Sequence, residues 1–258
     1  LYIGGEGWDT LSFEHVTTDV RISVAESSAT GVDIGSDSFL EMEFFMGGLG
    51  NDTFIGGSGN DTYGHIGGLD LVLGGPDGVD TVTFAYFDHS VSVDLNVQEA
   101  ASTSHTETLP EGDLTLIATL IGIDSVIGSS FDDRLTGDAN ANMLMGGAGN
   151  DHLDGGTGFV ADALYGDAGN DTFVGRISAG ADVFDGGAGI DTLDYSSATG
   201  GVVVNLTTGD GDDTVTRIEQ IRGSAFGDTL TGNDEANIFD GGAGSDILIG
   251  GDGADIFL

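Results

Sequence analysis

The chain has 258 residues, no cysteine, and a formal net charge of -39 from 44 acidic residues against five arginines and no lysine. This balance excludes direct nucleic-acid binding, because no basic face could meet the phosphates. No disulfide can form, and no apolar run approaches the roughly 18 residues that a membrane span needs. Hydrophobic residues make up 39% of the chain and recur periodically, which argues against an acidic disordered chain.

A nine-residue unit recurs along most of the chain. Residues 146–154 read G-G-A-G-N-D-H-L-D, with glycine at the opening places, Asp151 at the sixth place and Leu153 at the eighth. A short period with glycine, aspartate and one apolar residue in fixed columns is typical of a calcium-loaded parallel β-roll. A halophilic protein would spread its acidic residues over the surface, whereas here aspartate is concentrated at one place of the repeat. This concentration favours the interpretation that cations neutralise the aspartates. The unit begins again at Gly128, Gly137, Gly155, Gly166 and Gly186.

Three longer segments separate the nonapeptide blocks and align with one another without a gap. Each begins D-T-[LV]-x-[FY] and ends in alternating apolar residues, which predicts strands with one buried face. An acidic-apolar strand is predicted after each segment. The aligned segments are residues 9–24, 80–95 and 191–206, and the acidic-apolar strands are residues 40–45, 121–126 and 215–221, centred on Glu43, Asp124 and Glu219.

The alternation of these spacers and blocks predicts three tandem modules, over residues 1–75, 76–185 and 186–258. In the second module, residues 96–113 are polar and include Pro110, which favours a surface loop over a binding loop. Both ends of the chain fall in register with the repeat. Because repeat arrays need capping units, we expect a segment of a longer protein or a subunit whose ends are covered by neighbours.

The units match the pattern G-G-x-G-x-D-x-(apolar)-x, and the chain resembles the hemolysin-type, or RTX, calcium-binding repeat proteins, a family exported by type I secretion. The resemblance covers nearly the whole chain. It implies an all-β fold in which right-handed parallel β-roll blocks (a β-helix, or solenoid) hold Ca2+ in their turns. Spacers made of β-strands separate these blocks.

The pattern also has a physical reason. Six residues must turn the chain tightly enough to aim carbonyls at an ion, which favours glycine. Calcium takes about six to eight oxygen ligands, so backbone carbonyls and a few carboxylates suit it. Residues seven to nine form a short strand whose middle side chain points into the roll. Two units complete one coil, so sixth-place aspartates two units apart are expected to stack.

The resemblance implies several calcium ions, held by sixth-place carboxylates and by carbonyls of the turn glycines. The implied carboxylate ligands are Asp9, Asp52, Asp61, Asp70, Asp80, Asp133, Asp151, Asp162, Asp171, Asp182, Asp191, Asp228, Asp246 and Asp255. The implied carbonyl ligands are Gly47, Gly50, Gly56, Gly59, Gly146, Gly147, Gly149, Gly155, Gly158, Gly166, Gly169, Gly186, Gly189, Gly241, Gly242, Gly244, Gly250 and Gly253. The eighth-place residues expected in the core are Phe54, Tyr63, Val72, Val82, Leu135, Leu144, Leu153, Leu164, Phe173, Phe184, Leu193, Leu230, Phe239, Leu248 and Phe257.

Some turns depart from the pattern and are expected to bind calcium less tightly. Asn142 and Asn237 stand at the sixth place, where an amide is a neutral and weaker ligand. The turn that begins at His65 lacks glycine at its first two places. Pro76 lies in a unit that has gained one residue, and Phe131 places a bulky side chain at the fourth place.

No known catalytic pattern stands out. The sequence contains no metalloprotease H-E-x-x-H, no G-x-S-x-G and no cysteine nucleophile. Paired carboxylates are no evidence for a glycosidase, because the repeat already explains them as ligands. The scattered histidines are expected to be solvent-exposed, and no enzyme activity is predicted. These histidines are His15, His65, His89, His105 and His152.

Two functions remain open. The first is a secreted or cell-surface calcium-binding scaffold that folds on Ca2+ binding, as part of an adhesin, surface layer or filament. The alternative is a non-catalytic export, folding or substrate-positioning module of a secreted enzyme (protease, lipase or alginate epimerase) or of a toxin. The expected partners are calcium, and copies of this chain or further RTX modules end to end, with no nucleic acid and no membrane span.

Overall fold

The computed structural model describes residues 1–103, 114–177, 180–209 and 211–258. These residues form 28 strands and no helix. They divide into two compact units, Leu1–Phe131 and Asp132–Leu258. The three modules inferred from the repeat remain a prediction. The described part of the chain has no helix with the length and hydropathy that crossing a membrane requires.

The strands are short, and most have three or four residues. Those of unit 1 are β1 Tyr2–Ile3, β2 Thr10–Ser12, β3 Val20–Ser23, β4 Ser28–Gly31, β5 Gly35–Leu40, β6 Phe44–Met46, β7 Thr53–Ile55, β8 Thr62–Gly64, β9 Asp70–Leu73, β10 Thr81–Thr83, β11 Val91–Asp94, β12 Glu99–Thr103, β13 Leu114–Ile121 and β14 Ser125–Ile127. Those of unit 2 are β15 Arg134–Thr136, β16 Met143–Ala148, β17 His152–Asp154, β18 Ala163–Ala168, β19 Thr172–Val174, β20 Val183–Asp185, β21 Thr192–Asp194, β22 Val203–Asn205, β23 Thr214–Thr216, β24 Gln220–Arg222, β25 Thr229–Thr231, β26 Ile238–Asp240, β27 Ile247–Ile249 and β28 Ile256–Phe257.

Successive repeat strands alternate between parallel sheets within each unit. In unit 2, β15, β17, β19, β21, β24, β26 and β28 pair in that order in one sheet. Of the strands between them, β16, β18, β20 and β23 pair in a second sheet, and β22, β25 and β27 pair in a third. Two nonapeptides therefore make one coil, and equal repeat places lie in register, as Leu153 does opposite Phe173. The predicted parallel β-roll fold is confirmed.

The core is the column of eighth-place side chains. The turn glycines keep the strands short, so one inward side chain per strand fills the space between the sheets. Thirteen of the fifteen predicted core residues are buried. The other two, Leu248 and Phe257, lie in the last coil, where Phe257 is 52% exposed. In unit 1 part of the core is aromatic, and the rings of Phe45 and Tyr63 lie 5.4 Å and 5.3 Å from that of Phe54.

The spacers of unit 1 contain antiparallel strands. After β3, the strands β4 and β5 fold back as an antiparallel meander, and β11, β12 and β13 do the same. The prediction of a surface loop over residues 96–113 is wrong for Glu99–Thr103, which form strand β12. Residues 104–113 of that loop, with Pro110 and His105, lie outside the described residues.

The acidic-apolar segments are not single strands, so that prediction is wrong. Each contains the end of one strand, a turn, and the start of the next. The physical cause is one residue in the left-handed region, which an extended strand cannot accommodate. That residue lies two places before the central acidic residue of each segment. The left-handed residues are Glu41, Gly122 and Arg217, with φ of 56°, 67° and 52°.

Candidate functional site

A ladder of carboxylates follows the turns of each unit. The backbone N–H of Asp151 donates to Oδ1 of Asp171 over 2.8 Å, and the N–H of Asp171 donates to Oδ1 of Asp191 over 2.8 Å. The same bond joins every stacked pair that the repeat predicts. The pairs are Asp52 with Asp70, Asp61 with Asp80, Asp133 with Asp151, Asn142 with Asp162, Asp151 with Asp171, Asp162 with Asp182, Asp171 with Asp191, Asp228 with Asp246, and Asn237 with Asp255.

The spacers extend this ladder with carboxylates that the repeat did not identify as ligands. Each accepts the backbone N–H of a sixth-place aspartate, over 2.8 to 3.0 Å. The sequence does carry a signal for them, because each stands two places before a buried apolar residue, as Asp151 stands before Leu153. These carboxylates are Glu43 on Asp9, Asp124 on Asp80, Asp213 on Asp182, and Glu219 on Asp191.

The turns fall into two kinds, which differ at the second place. In a closed turn the second-place N–H donates to the sixth-place side chain of the same turn, as Gly48 does to Asp52 over 2.6 Å. In an open turn the second-place residue is left-handed, as Gly147 is with a φ of 104°. The closed turns include those with second places at Gly48, Gly57, Gly75, Asp138, Ser224 and Asn233. The open turns include those at Gly5, Gly147, Gly156, Asp167, Gly187, Gly242 and Gly251.

Four of the open turns leave a buried carboxylate oxygen without a hydrogen-bond partner. Oδ2 of Asp151, of Asp171 and of Asp191 each lacks one, although Asp191 is 0% exposed. Oδ2 of Asp9, in the first open turn, also lacks a hydrogen-bond partner. Leaving a charged oxygen buried and unpaired is costly. These oxygens therefore favour a ligand that neutralises them.

Carbonyl oxygens converge on the gap between stacked turns. A side chain on Gly169 would overlap the Gly149 carbonyl oxygen, and one on Gly189 would overlap that of Gly169. From the other direction, a Cβ on Gly166 would lie 2.6 Å from the Gly186 carbonyl oxygen. Glycine at these places keeps the gap open and lined with oxygens, as a calcium site requires.

Burial makes the ladder electrostatically unfavourable without a cation. Burial raises the pKa of Asp151 from its ordinary 3.8 to about 7; the N–H of Asp133 opposes this, and the charges of Asp133 and Asp171 add to it. Burial likewise raises the pKa of Asp162 and of Asp171 to about 6. The arginine ion pairs that the structure describes in unit 2 lie at ninth-place aspartates outside the ladder. These pairs are Arg176 with Asp154, Arg217 with Asp185, and Arg222 with both Asp194 and Asp240.

Within the described ranges, no three acidic or histidine side chains lie close enough to hold a metal by side chains alone. An ion in the ladder would therefore take carboxylates together with backbone carbonyls. Hard oxygen donors of this mixed kind suit calcium, whereas zinc prefers nitrogen and sulfur. The residues present fit the predicted ion.

The expectation that the histidines are exposed is wrong for His65. The side chain of His15 is 92% exposed, but that of His65 is 0% exposed. The His65 ring lies 5.5 Å from the ring of Phe84 and 5.1 Å from that of Phe87. It is buried because the first place of a turn faces the interior. The repeat pattern has glycine at that place.

The comparisons agree with this geometry. The model of the RTX calcium-binding nonapeptide repeat matches four copies, over residues 43–63, 127–159, 161–193 and 222–257. The two matches within 127–193 cover three of the four turns whose buried oxygens lack a partner, those of Asp151, Asp171 and Asp191. No curated protein matches the chain at a significant level.

We expect a methyl group at Gly169 to disrupt the ladder. Gly169 has a φ of 144° and faces the Gly149 carbonyl, so Gly169→Ala combines backbone strain with overlap and should cost at least ~2 kcal/mol. Urea unfolding in calcium measures this loss. Gly200→Ala is the matched control, because a Cβ there meets only Ile177 at 3.7 Å. Equal midpoints for the two variants would contradict the prediction.

The metal-free chain should be more stable in acid. A carboxyl whose pKa is raised by folding stabilises the fold when protonated, so this stabilisation is complete below 3.8 and is lost as the pH rises through about 7. In calcium-free buffer, the far-UV β signal should therefore be larger at about pH 4 than at about pH 8. Asp171→Asn, which removes one titrating group, should flatten the dependence. A β signal that grows with pH would overturn this account.

Proposed function

Because this chain is an RTX calcium-binding repeat protein, we propose that it is an extracellular scaffold that calcium makes rigid. The observation that carries the proposal is the row of open turns, in which buried carboxylate oxygens without a hydrogen-bond partner adjoin convergent carbonyls. The scaffold role is that of a component of an adhesin, a surface layer or a filament. No catalytic role is proposed.

The strongest candidate ligands lie in unit 2. Asp151, Asp171 and Asp191 would supply the carboxylates, and the carbonyls of Gly149 and Gly169 lie in the gaps between their turns. Where a closed turn stacks on an open turn, the closed turn would supply the second carboxylate ligand of that pair. The sixth-place carboxylates of open turns are Asp9, Asp151, Asp162, Asp171, Asp191, Asp246 and Asp255.

The spacer after the last of these turns offers a further set of ligands. The left-handed Arg217 aims its carbonyl at Gly186, where a side chain would overlap it. Glu219 accepts the N–H of Asp191 over 2.9 Å. We infer that this carbonyl and this carboxylate complete a calcium site with the turn of Asp191. Glu41 and Glu43 have the same arrangement against the turn of Asp9.

Calcium would control folding of the blocks that contain open turns. Without it, stacked carboxylates repel one another in a partly buried environment, and ordering many glycines has a large entropic cost. Bound calcium offsets both, so its binding energy becomes folding energy. Such blocks would stay unfolded in a cytosol poor in calcium, pass an exporter as a chain, and fold outside the cell.

A second function fits the same sites. The chain would then be a non-catalytic export, folding or substrate-positioning module of a secreted enzyme or toxin. Tandem rolls whose repeats share the same register favour the scaffold, because such rolls can stack end to end. A catalytic domain in flanking sequence would favour the module instead.

A calcium titration followed by far-UV circular dichroism tests the ion's role. We expect the β signal to rise with calcium and to fall in excess chelator, since folding and binding are coupled. Magnesium at the same concentration is the control and should restore little signal, because it demands octahedral geometry and retains its waters. An undiminished β signal in excess chelator would sink the proposal.

Electron microscopy tests the scaffold role. Purified protein in calcium should form extended assemblies that chelator disperses, because only rolls that the ion keeps folded could stack end to end. Asp171→Asn, which weakens one internal site, should lower the calcium sensitivity of assembly without changing its form. Isolated particles under both conditions would favour the module function.

A further inference from the structure

One turn of unit 1 is built differently from every open turn. The turn over residues 65–70 has His65 at its first place, where the pattern requires glycine. Aligned with unit 2, Tyr63 and His65 stand where Leu164 and Gly166 stand before Asp171. Both differences introduce a hydrogen-bond donor on the inner side of the turn.

These two donors satisfy the Asp70 carboxylate. The Tyr63 hydroxyl donates to Oδ2 of Asp70 over 2.9 Å, and Nδ1 of His65 lies 2.7 Å from the same oxygen. Because a carboxylate oxygen only accepts, the ring nitrogen is the donor. Oδ1 accepts the N–H of Asp52 over 2.8 Å. Both oxygens of Asp70 are therefore bonded to protein, whereas Oδ2 of Asp171 lacks a partner.

The stacked partner, Asp52, is satisfied as well. Its Oδ1 accepts the N–H of Val20 over 2.8 Å, and its Oδ2 accepts that of Gly48 over 2.6 Å. A side chain on Gly47 would overlap the Tyr63 hydroxyl and would lie 2.6 Å from Oδ2 of Asp52, so the hydroxyl is next to this carboxylate as well. The hydroxyl thus lies between the two stacked carboxylates, in the gap that open turns leave to an ion.

The donors are fixed in place by the core. Tyr63 and His65 are both 0% exposed. The Tyr63 ring stacks on Phe54, and the His65 ring is held by Phe84 and Phe87. Because neither side chain can leave without opening the core, an ion that entered this gap would have to displace buried rings.

We propose that Tyr63 and His65 take the place of calcium at the Asp52–Asp70 turn pair, so that this pair closes without metal. The inference rests on the proposed calcium function of the open turns. It removes Asp52 and Asp70 from the calcium ligands that the resemblance implies. The neighbouring turns agree with it, because Gly57 and Gly75 donate their N–H groups to Asp61 and Asp80.

The roll over residues 44–83 is therefore a calcium-independent part of the fold. Three of its four sixth-place carboxylates, Asp52, Asp70 and Asp80, have protein donors on both oxygens, and the fourth, Asp61, has one on Oδ2. It would remain ordered in chelator while the open turns of unit 2 lose their structure.

Counting calcium ions bound to the 258-residue chain tests the inference. Asp70→Asn should leave the number per chain unchanged, and Asp171→Asn, at the same repeat place, should lower it. Equilibrium dialysis with metal analysis gives the count, and circular dichroism in calcium checks that both variants fold. A count that falls equally in both variants overturns the inference alone. A parent chain that binds no calcium overturns the proposed function as well.

The converse exchange provides a second test. The double variant Tyr63→Leu, His65→Gly reproduces the residues that precede Asp171 and should bind more calcium than the parent chain. A count equal to that of the parent would show that the two side chains do not exclude the ion.

Hydrogen exchange of the unmodified chain in chelator needs no variant. Residues 62–73 should stay protected, and the matched residues 163–174 should exchange rapidly. Equal exchange in the two segments would contradict a calcium-independent turn.

Discussion

The structure depends on one repeated bond, from the backbone N–H of a sixth-place residue to the carboxylate of the next coil. This bond sets the spacing of the turns and places like charges in a column, as Asp151, Asp171 and Asp191 show. The same contact that organises the coil therefore creates its largest electrostatic cost. Whatever neutralises the column decides whether the coil is stable.

The protein uses two ways to neutralise it. In closed turns the second-place amide donates to the carboxylate, as Gly48 does, and at Asp70 the buried side chains of Tyr63 and His65 donate instead. In open turns the left-handed second residue turns its amide away, and the oxygen is left for a cation. A change of one backbone dihedral therefore separates a turn that the protein closes by itself from a turn that calcium closes.

The regular period made much of this predictable. Because two units make one coil, spacing alone indicated every stacked pair and the inward column from Phe54 to Phe239. It indicated less in the spacers, where Glu41 and Arg217 adopt a left-handed conformation that their residue types do not reveal. It also failed for His65, because burial there depends on which way a turn's first place faces.

The sequence by itself determined the repeat, the β-roll and the candidate ion, because glycine, aspartate and an apolar residue recur at a period that only stacked coils satisfy. Only the tertiary structure decided which carboxylates remain without a partner. That outcome depends on where backbone amides, the Tyr63 hydroxyl and the His65 ring come to lie once neighbouring coils have packed. Aspartates in equal sequence positions thereby acquire different chemical surroundings.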